Sequence, residues 1–329
     1  MHSLLRGKHF ITEQDWTKEE LELLFTTAEE LKRDFALGRP HPLLPLQTLF
    51  MIFFDNSTRT RNSFEAGITQ LGGHAHDLTP DKLQISHGEN AKDTANVLSR
   101  YGHGIAIRHC AYGEGNQYIR EVAQYASVPV LNMQCDVYHP CQVLADLMTI
   151  RERFGKNTKG LKLGVSWTSA PNYVRPLSVP QSLILLMPRF GIDVTLAHPK
   201  EFALMPDIVR QAEENARLGG AKFEIVDEME GAFADADIVI PKSWGPLTVT
   251  QNKAEGIDLI KKYPGWRCDS KMMALAHEQA IYMHPLPADR NFEVTDEVID
   301  GPQSVVYDEA ENRLHVQKAL MALTMGGRR

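Results

Sequence analysis

The sequence predicts an α/β protein of two domains, each a parallel sheet flanked by helices. Three observations carry that reading. Short apolar runs of strand length alternate with amphipathic segments along most of the 329 residues, a pattern of parallel sheets rather than hairpins. This length exceeds one typical domain, and a polar linker, Lys156 to Gly160, separates two halves. The residues that packing explains least follow the apolar runs, where ligands bind on open parallel sheets. The expected domains are 1–154, completed by a C-terminal helix 308–329, and 155–307.

In chain order, Thr17 to Leu37 reads as an amphipathic helix: Thr17 and Glu20 form a capping box, and Leu21, Leu24, Phe25, Ala28 and Leu31 share one face. After a Gly/Pro turn, Thr48 to Phe54 is a buried strand, and Asn62 to Leu71 a helix closed by Gly72-Gly73. His74 to Leu78 is a short strand. Thr79 to Asn90 is polar and without period, hence a loop of the kind that carries function. Helix Lys92–Arg100, strand Gly104–Arg108, helix Tyr118–Tyr125, strand Pro129–Met133 and helix Cys141–Phe154 complete the first half.

The second half opens on the strand Leu161 to Trp167, which lacks the G-x-G-x-x-G that a dinucleotide-binding fold would place after it. Proline-marked Thr168 to Gln181 follows, then an apolar helix Ser182–Phe190. Strands at Ile192–His198, Phe223–Val226 and Asp237–Lys242 alternate with helices at Met205–Leu218 and Met229–Ala234; a further strand ends at Tyr282 to Pro287. Asn312 to Met325 has helical spacing and is expected to pack on the first domain, with Gly326 to Arg329 as a frayed tail.

Composition narrows the function. Hydrophobic content of 43% supports a sizeable core, and a net charge of −7 argues against a general nucleic-acid binder. Cys110, Cys135, Cys141 and Cys268 show neither metal-ligand spacing nor a disulfide framework, so no metal is expected and a reducing compartment fits them. No stretch has the apolar length of a signal core or a membrane span. A soluble, cytoplasmic protein without membrane or nucleic-acid partners is expected.

The most informative stretch is Asp55-Asn56-Ser57-Thr58-Arg59-Thr60-Arg61, between strand and helix. Ser57, Thr58 and Thr60 would bring hydroxyls and N–H groups to a helix N-terminus, and Arg59 and Arg61 forked donors suited to phosphate. Two arginines in one turn also require a dianion between them or an acidic partner such as Glu65. Arg108, His139 with Gln142, and His284 to Pro287 follow other strands. Read singly, each has a duller explanation: a capped helix, a surface charge, a turn residue, a strand breaker.

Together they resemble the transcarbamylase family, the aspartate and ornithine carbamoyltransferases. The resemblance spans nearly the whole chain and is carried by Ser57-Thr58-Arg59-Thr60-Arg61, His139-Pro140-Cys141-Gln142 with Ala145-Asp146-Leu147, and His284-Pro285-Leu286-Pro287. It implies that Ser57, Thr58, Arg59 and Thr60 bind the phosphate of carbamoyl phosphate. Arg108 would reach both the phosphate and the carbonyl oxygen, joined there by His139 and Thr60, the three residues expected to act in catalysis. Gln142 and the backbone carbonyls of Pro285 and Leu286 would hold the carbamoyl amino group, and Arg313 would complete the phosphate site. No cofactor is implied. Lys82, Gln84, Ser86 and His87 lie where the family sends a loop into a neighbouring subunit, which implies a homotrimer.

Ala170-Pro171, Arg175-Pro176-Leu177 and Val179-Pro180 are similar to the proline-rich loop of the knotted branch, the acetylornithine and succinylornithine enzymes and relatives of unsettled substrate. That branch implies a trefoil knot in the second domain, with 235–252 threaded through the loop. Lys242-Ser243-Trp244 matches too. Departures remain: His284 is followed by Pro285 where the acylornithine enzymes have cysteine, Gln134 stands in place of a glutamate, and Asp289 in place of a basic residue. Lys242 and Arg175 are the expected holders of an acceptor carboxylate, with Trp244, Gln134 and Asp289 also on the acceptor side. The sequence therefore points to carbamoyl transfer between carbamoyl phosphate and a small amine or amino acid, in either direction. A non-catalytic, phosphate-binding regulatory paralogue is the alternative.

Overall fold

The computed structural model describes residues 4–171 and 174–326. Asn172 and Tyr173 of the expected proline loop, and 327–329 of the expected tail, lie outside the described residues. The elements in order are α1 (Lys18–Ala36), β1 (Thr48–Phe53), α2 (Arg59–Gln70), β2 (His74–Leu78), α3 (Ala91–Tyr101), β3 (Gly104–His109), α4 (Gly115–Tyr125), β4 (Val130–Cys135) and α5 (Pro140–Phe154). They continue as β5 (Lys162–Trp167), α6 (Ser178–Leu186), β6 (Asp193–Ala197), α7 (Pro206–Gly219), β7 (Phe223–Val226), α8 (Met229–Phe233) and β8 (Ile238–Lys242). The last are α9 (Lys253–Ile260), α10 (Ser270–Met273), β9 (Ile281–Tyr282), α11 (Asp296–Ile299) and α12 (Val306–Met325). Two compact units result, Met1–Ala145 with Glu311–Arg329, and Asp146–Ala310. The divisions fall inside α5 and α12 rather than at the polar linker, because both helices run on without a break.

Unit 1 holds a four-stranded parallel sheet in the order β2-β1-β3-β4. Side chains alternate across it. Phe50, Ile52, Ile105 and Ile107 face Ala95, Leu98, Ile119 and Val122 of α3 and α4. On the opposite side α2 meets α12 closely enough that a Cβ on Gly67 would stand 3.0 Å from Met321 Cε. The Thr17 capping box forms as expected, with Thr17 and Glu20 each accepting from the other's backbone N–H.

Unit 2 holds a five-stranded parallel sheet, β7-β6-β5-β8-β9. Its core on one side gathers Met229, Phe233, Val239, Tyr282, Val294 and Val298. Gly164 is required there: a Cβ would fall 1.9 Å from the Ala232 carbonyl oxygen, so α8 could not approach β5. Helix α6 is buried along its whole length, which is why it reads as apolar throughout. Among the described residues, no helix is long and apolar enough to cross a membrane.

Several boundaries differ from expectation for physical reasons. Helix α2 begins at Arg59, not Asn62, since Thr58 already has helical dihedrals and arginine is a good helix former. Helix α6 begins at Ser178: Pro180 falls in its first turn, where its missing N–H costs nothing. Within Thr79–Asn90 the chain forms two 3-10 turns, Pro80–Lys82 and Gln84–His87, the second closed by Gly88 at φ 90°. The short helices α9, α10 and α11 carry too little periodicity to be read, although Asn252 and Asp269 cap the first two.

Candidate functional site

Both sheets have a topological switch point. In unit 1 the chain leaves β1 for β2 on one side and returns to β3 on the other, so the crevice opens at the carboxyl ends of β1 and β3. The turn 57–61 follows β1, and Arg108 stands at the end of β3. In unit 2 the switch lies between β5 and β8, and Lys242 ends β8. The conspicuous residues of the sequence thus occupy the positions where each sheet can receive a ligand.

In unit 1, Ser57 is half-buried and Thr58 exposed, and Thr58 makes no side-chain capping bond at the start of α2. Thr60 is buried in the first turn. Its hydroxyl accepts from Arg313 at 2.8 Å, and the same guanidinium donates to Gln142 Oε1 at 2.7 Å. Arg313 on α12 therefore ties α2 to α5. A register shift between Ile107 and Arg108 sets Arg108 opposite Gln134 on β4, and its guanidinium donates to Gln134 Oε1 at 2.5 Å. The bulge re-aims the arginine.

His139 is buried just before α5, its carbonyl accepting from the Gln142 N–H at 3.0 Å. Burial, then Arg313, Arg108 and Arg59, hold its proton affinity well below that of an ordinary histidine. It is a neutral imidazole in a field of arginines. Such a group can donate one hydrogen bond to a carbonyl oxygen without adding charge, while the arginines attract an anion.

Arg61 departs from expectation. It pairs with Asp77 on β2 rather than with Glu65, and its guanidinium lies 4.0 Å from the centre of the Phe53 ring. Being two residues beyond Arg59 on a helix turns it away from its neighbour's direction.

Unit 2 brings together Arg175, Lys242 and Asp289 around a residue that sequence reading missed, Glu293. Arg175 pairs with Asp289 at 2.9 Å and lies 3.7 Å from Glu293. Lys242 Nζ is 3.1 Å from Glu293 Oε1. Glu293 is fully buried, yet nothing in Asn291-Phe292-Glu293-Val294-Thr295-Asp296-Glu297 distinguishes it from its solvated acidic neighbours. Pro285 is buried and Leu286 half-buried after β9; Leu286 holds the left-handed φ of 49° while its N–H donates to His284 Nδ1 at 2.9 Å.

Trp244 requires a correction. It is a core residue, 1% exposed, and its single donor, the indole N–H, is spent on the Phe202 carbonyl at 2.7 Å. Its side chain has no polar group left for a ligand. Gln134, expected beside the acceptor, accepts from Arg108. Lys82, Gln84, Ser86 and His87 are all exposed on the two 3-10 turns. The cysteines are free thiols, and burial raises those of Cys135 and Cys141 to about 12, so neither supplies a thiolate nucleophile. Among the described residues, no group of three His, Cys, Asp or Glu is placed to hold a metal ion.

Comparison with known proteins gives this arrangement its family. The aspartate/ornithine carbamoyltransferase carbamoyl-P binding domain matches residues 8–152, and the Asp/Orn binding domain of the same family matches 177–324. The chain belongs to the aspartate/ornithine carbamoyltransferase family. It is 42% identical over 323 residues to an ornithine carbamoyltransferase of Thermococcus kodakarensis, covering 98% of each chain. It is 38% identical to the putative carbamoyltransferase YgeW of Escherichia coli K12, over 97% of this chain and 90% of that one. A crystal structure of acetylornithine transcarbamylase complexed with acetylcitrulline superposes with a TM-score of 0.90 at 34% identity, covering 98% of this chain and 100% of the other. The protein is a carbamoyltransferase.

Proposed function

We propose that this carbamoyltransferase moves the carbamoyl group between carbamoyl phosphate and the amine of a small, carboxylated acceptor. The observation that carries the reading is the convergence, within unit 1, of Arg59, Arg108 and Arg313 on a neutral His139, with Thr60 and Gln142 tied to Arg313. Ser57, Thr58, Arg59 and Thr60 take the phosphate, Arg108 bridges the phosphate and carbonyl oxygens, and His139 and Thr60 donate to the carbonyl oxygen. Gln142 takes the carbamoyl amino group. An uncharged amine attacks the carbonyl carbon; the new C–N bond forms as an oxyanion develops, then the C–O bond to phosphate breaks. The leaving phosphate takes the proton from the amine. Donors aimed at the oxyanion and cations on the leaving group lower the barrier by preorganised electrostatics.

The acceptor side belongs to unit 2, with Arg175, Lys242 and Asp289 as its charged groups; the match of 177–324 to an Asp/Orn binding domain supports that assignment. Run in reverse, the reaction is phosphorolysis of a ureido compound, a catabolic direction. The working assembly is a cytoplasmic homotrimer in which Lys82, Gln84, Ser86 and His87 act on the neighbouring subunit's site, a role their exposure permits. A knot in the second unit, with 235–252 passing the proline loop, belongs to the same reading and is supported by a contact between the two segments, the Gly245 N–H donating to the Arg175 carbonyl at 2.9 Å.

The test is transfer from carbamoyl phosphate to ornithine, acetylornithine, succinylornithine, aspartate, diaminopropionate, putrescine and oxamate, with Arg59→Ala as control. Turnover on one acceptor, lost in the variant, is expected. Silence on every amine, together with no thermal stabilisation by carbamoyl phosphate, sinks the reading.

A further inference from the structure

We propose that Glu293 is a positioning residue: one buried carboxylate that holds the turns after β8 and β9 in the arrangement needed to receive the acceptor. The inference rests on the carbamoyl-transfer reading above. Its support is the number of distinct groups that meet on two oxygens. Glu293 Oε1 accepts from Ser243 N at 2.6 Å and from Lys242 Nζ at 3.1 Å, and lies 3.3 Å from His284 Nε2. Oε2 accepts from Asp289 N at 2.7 Å and lies 3.7 Å from Arg175. Two backbone N–H groups on separate turns, two cations and an imidazole are thereby fixed by one side chain.

The same geometry reassigns Lys242. An ammonium has three donors, and here they go to Glu293 Oε1, to the Ser243 carbonyl at 3.1 Å and to Ser243 Oγ at 3.4 Å. None is left over for a substrate carboxylate, so Lys242 acts through Ser243 and Glu293. His284 fits the scheme: its Nδ1 accepts from Leu286 N–H, which leaves the proton of the neutral ring on Nε2, facing Glu293. Burial would push the Glu293 carboxyl up, but Lys242, His284 and Arg175 hold it well below the usual range. The carboxylate is charged whenever the turns are in place.

The experiment compares the wild type with Glu293→Gln and with the double variant K242M/E293M, which removes both charges and keeps folding accessible if the single variant unfolds. Three quantities are read: amide exchange at Ser243 and Asp289, affinity for inorganic phosphate, and KM and kcat for whichever amine of the panel the wild type carbamoylates. Faster exchange at both amides is expected in E293Q, with acceptor KM raised about 10- to 100-fold, as for a misplaced reactive geometry. Phosphate affinity should stay within about twofold, since that site lies in unit 1. The double variant should recover thermal stability but not acceptor KM, a split that a purely structural role would not give. Unchanged exchange at Ser243 and Asp289, an unchanged acceptor KM in either folded variant, or a parallel loss of phosphate affinity overturns the proposal. If the wild type carbamoylates no amine, the functional reading fails by itself, and the exchange result still decides whether Glu293 holds the two turns.

Discussion

Two buried histidines, each following a strand and preceding a proline, sit in opposite electrostatic settings. The charges acting on His139 are those of Arg313, Arg108 and Arg59, and all of them oppose its protonation. Around His284, Glu293 favours protonation while Lys242 and Arg175 oppose it, and burial tips the balance to the neutral ring. The first setting is arranged for a negative charge still to come. The second is already balanced, two cations against Glu293 and Asp289. In unit 1 the charges that shift His139 are all of one sign, whereas in unit 2 paired charge fixes shape.

The largest effect should separate stability from activity. Glu293→Gln leaves Lys242 buried without its counter-charge and should cost about 3–5 kcal/mol in urea denaturation. Arg108→Met should do the reverse. It removes one of several like charges and a single bond to Gln134, so unfolding should change little, whereas the transfer barrier should rise by about 3 kcal/mol, some two orders of magnitude in kcat. If Arg108→Met destabilises the protein as much as Glu293→Gln does, the contrast between the two settings is wrong.

Much of unit 1 was legible because its chemistry lies close to the chain's own punctuation. The strand, turn and helix around Arg59, the placement of Arg108 at a strand end and the grouping of His139 with Gln142 all follow from apolar runs and their endings. What the sequence hides is register. The bulge that turns Arg108 onto Gln134 depends on how β3 and β4 pair, and nothing local records that pairing. Glu293 was invisible for a related reason: it is one acid in a run of acids, and only the packing of β8 and β9 buries it. Two arginines in one turn called for a dianion or an acidic partner such as Glu65; the acid that pairs with Arg61 is Asp77, which the neighbouring strand supplies and no local spacing marks.

Acid should sharpen the comparison between the histidines. Both have proton affinities below the ordinary value of 6.5 in the folded chain, so the unfolded chain binds more protons as pH falls. Their contribution to stability is complete above about pH 6.5 and is lost below it, by at most about 1.4 kcal/mol per pH unit for each proton. Denaturation at pH 7.5 and 5.5 should show a smaller acid loss in His139→Gln and in His284→Gln than in the wild type. Saturating phosphate should reduce the share due to His139, by offsetting the arginines, and leave that of His284 unchanged. Equal sensitivity of both to phosphate would mean that the anion acts on the whole protein rather than on one site.

The smallest predicted effect tests the most local contrast, between two arginines in one turn. Arg59 acts on His139, whereas Arg61 is engaged by Asp77 and the Phe53 ring. A partly exposed ion pair of this kind is worth up to about 1 kcal/mol, with the ring adding a similar amount. Arg61→Ala should therefore lower stability by roughly 1–2 kcal/mol and leave phosphate affinity, read by calorimetry, as it was. Arg59→Ala should weaken phosphate binding in the same titration. If Arg61→Ala also weakens phosphate, the helix start at Arg59 has to be positioned by the Asp77 contact, and the anion site extends one turn further than its ligands.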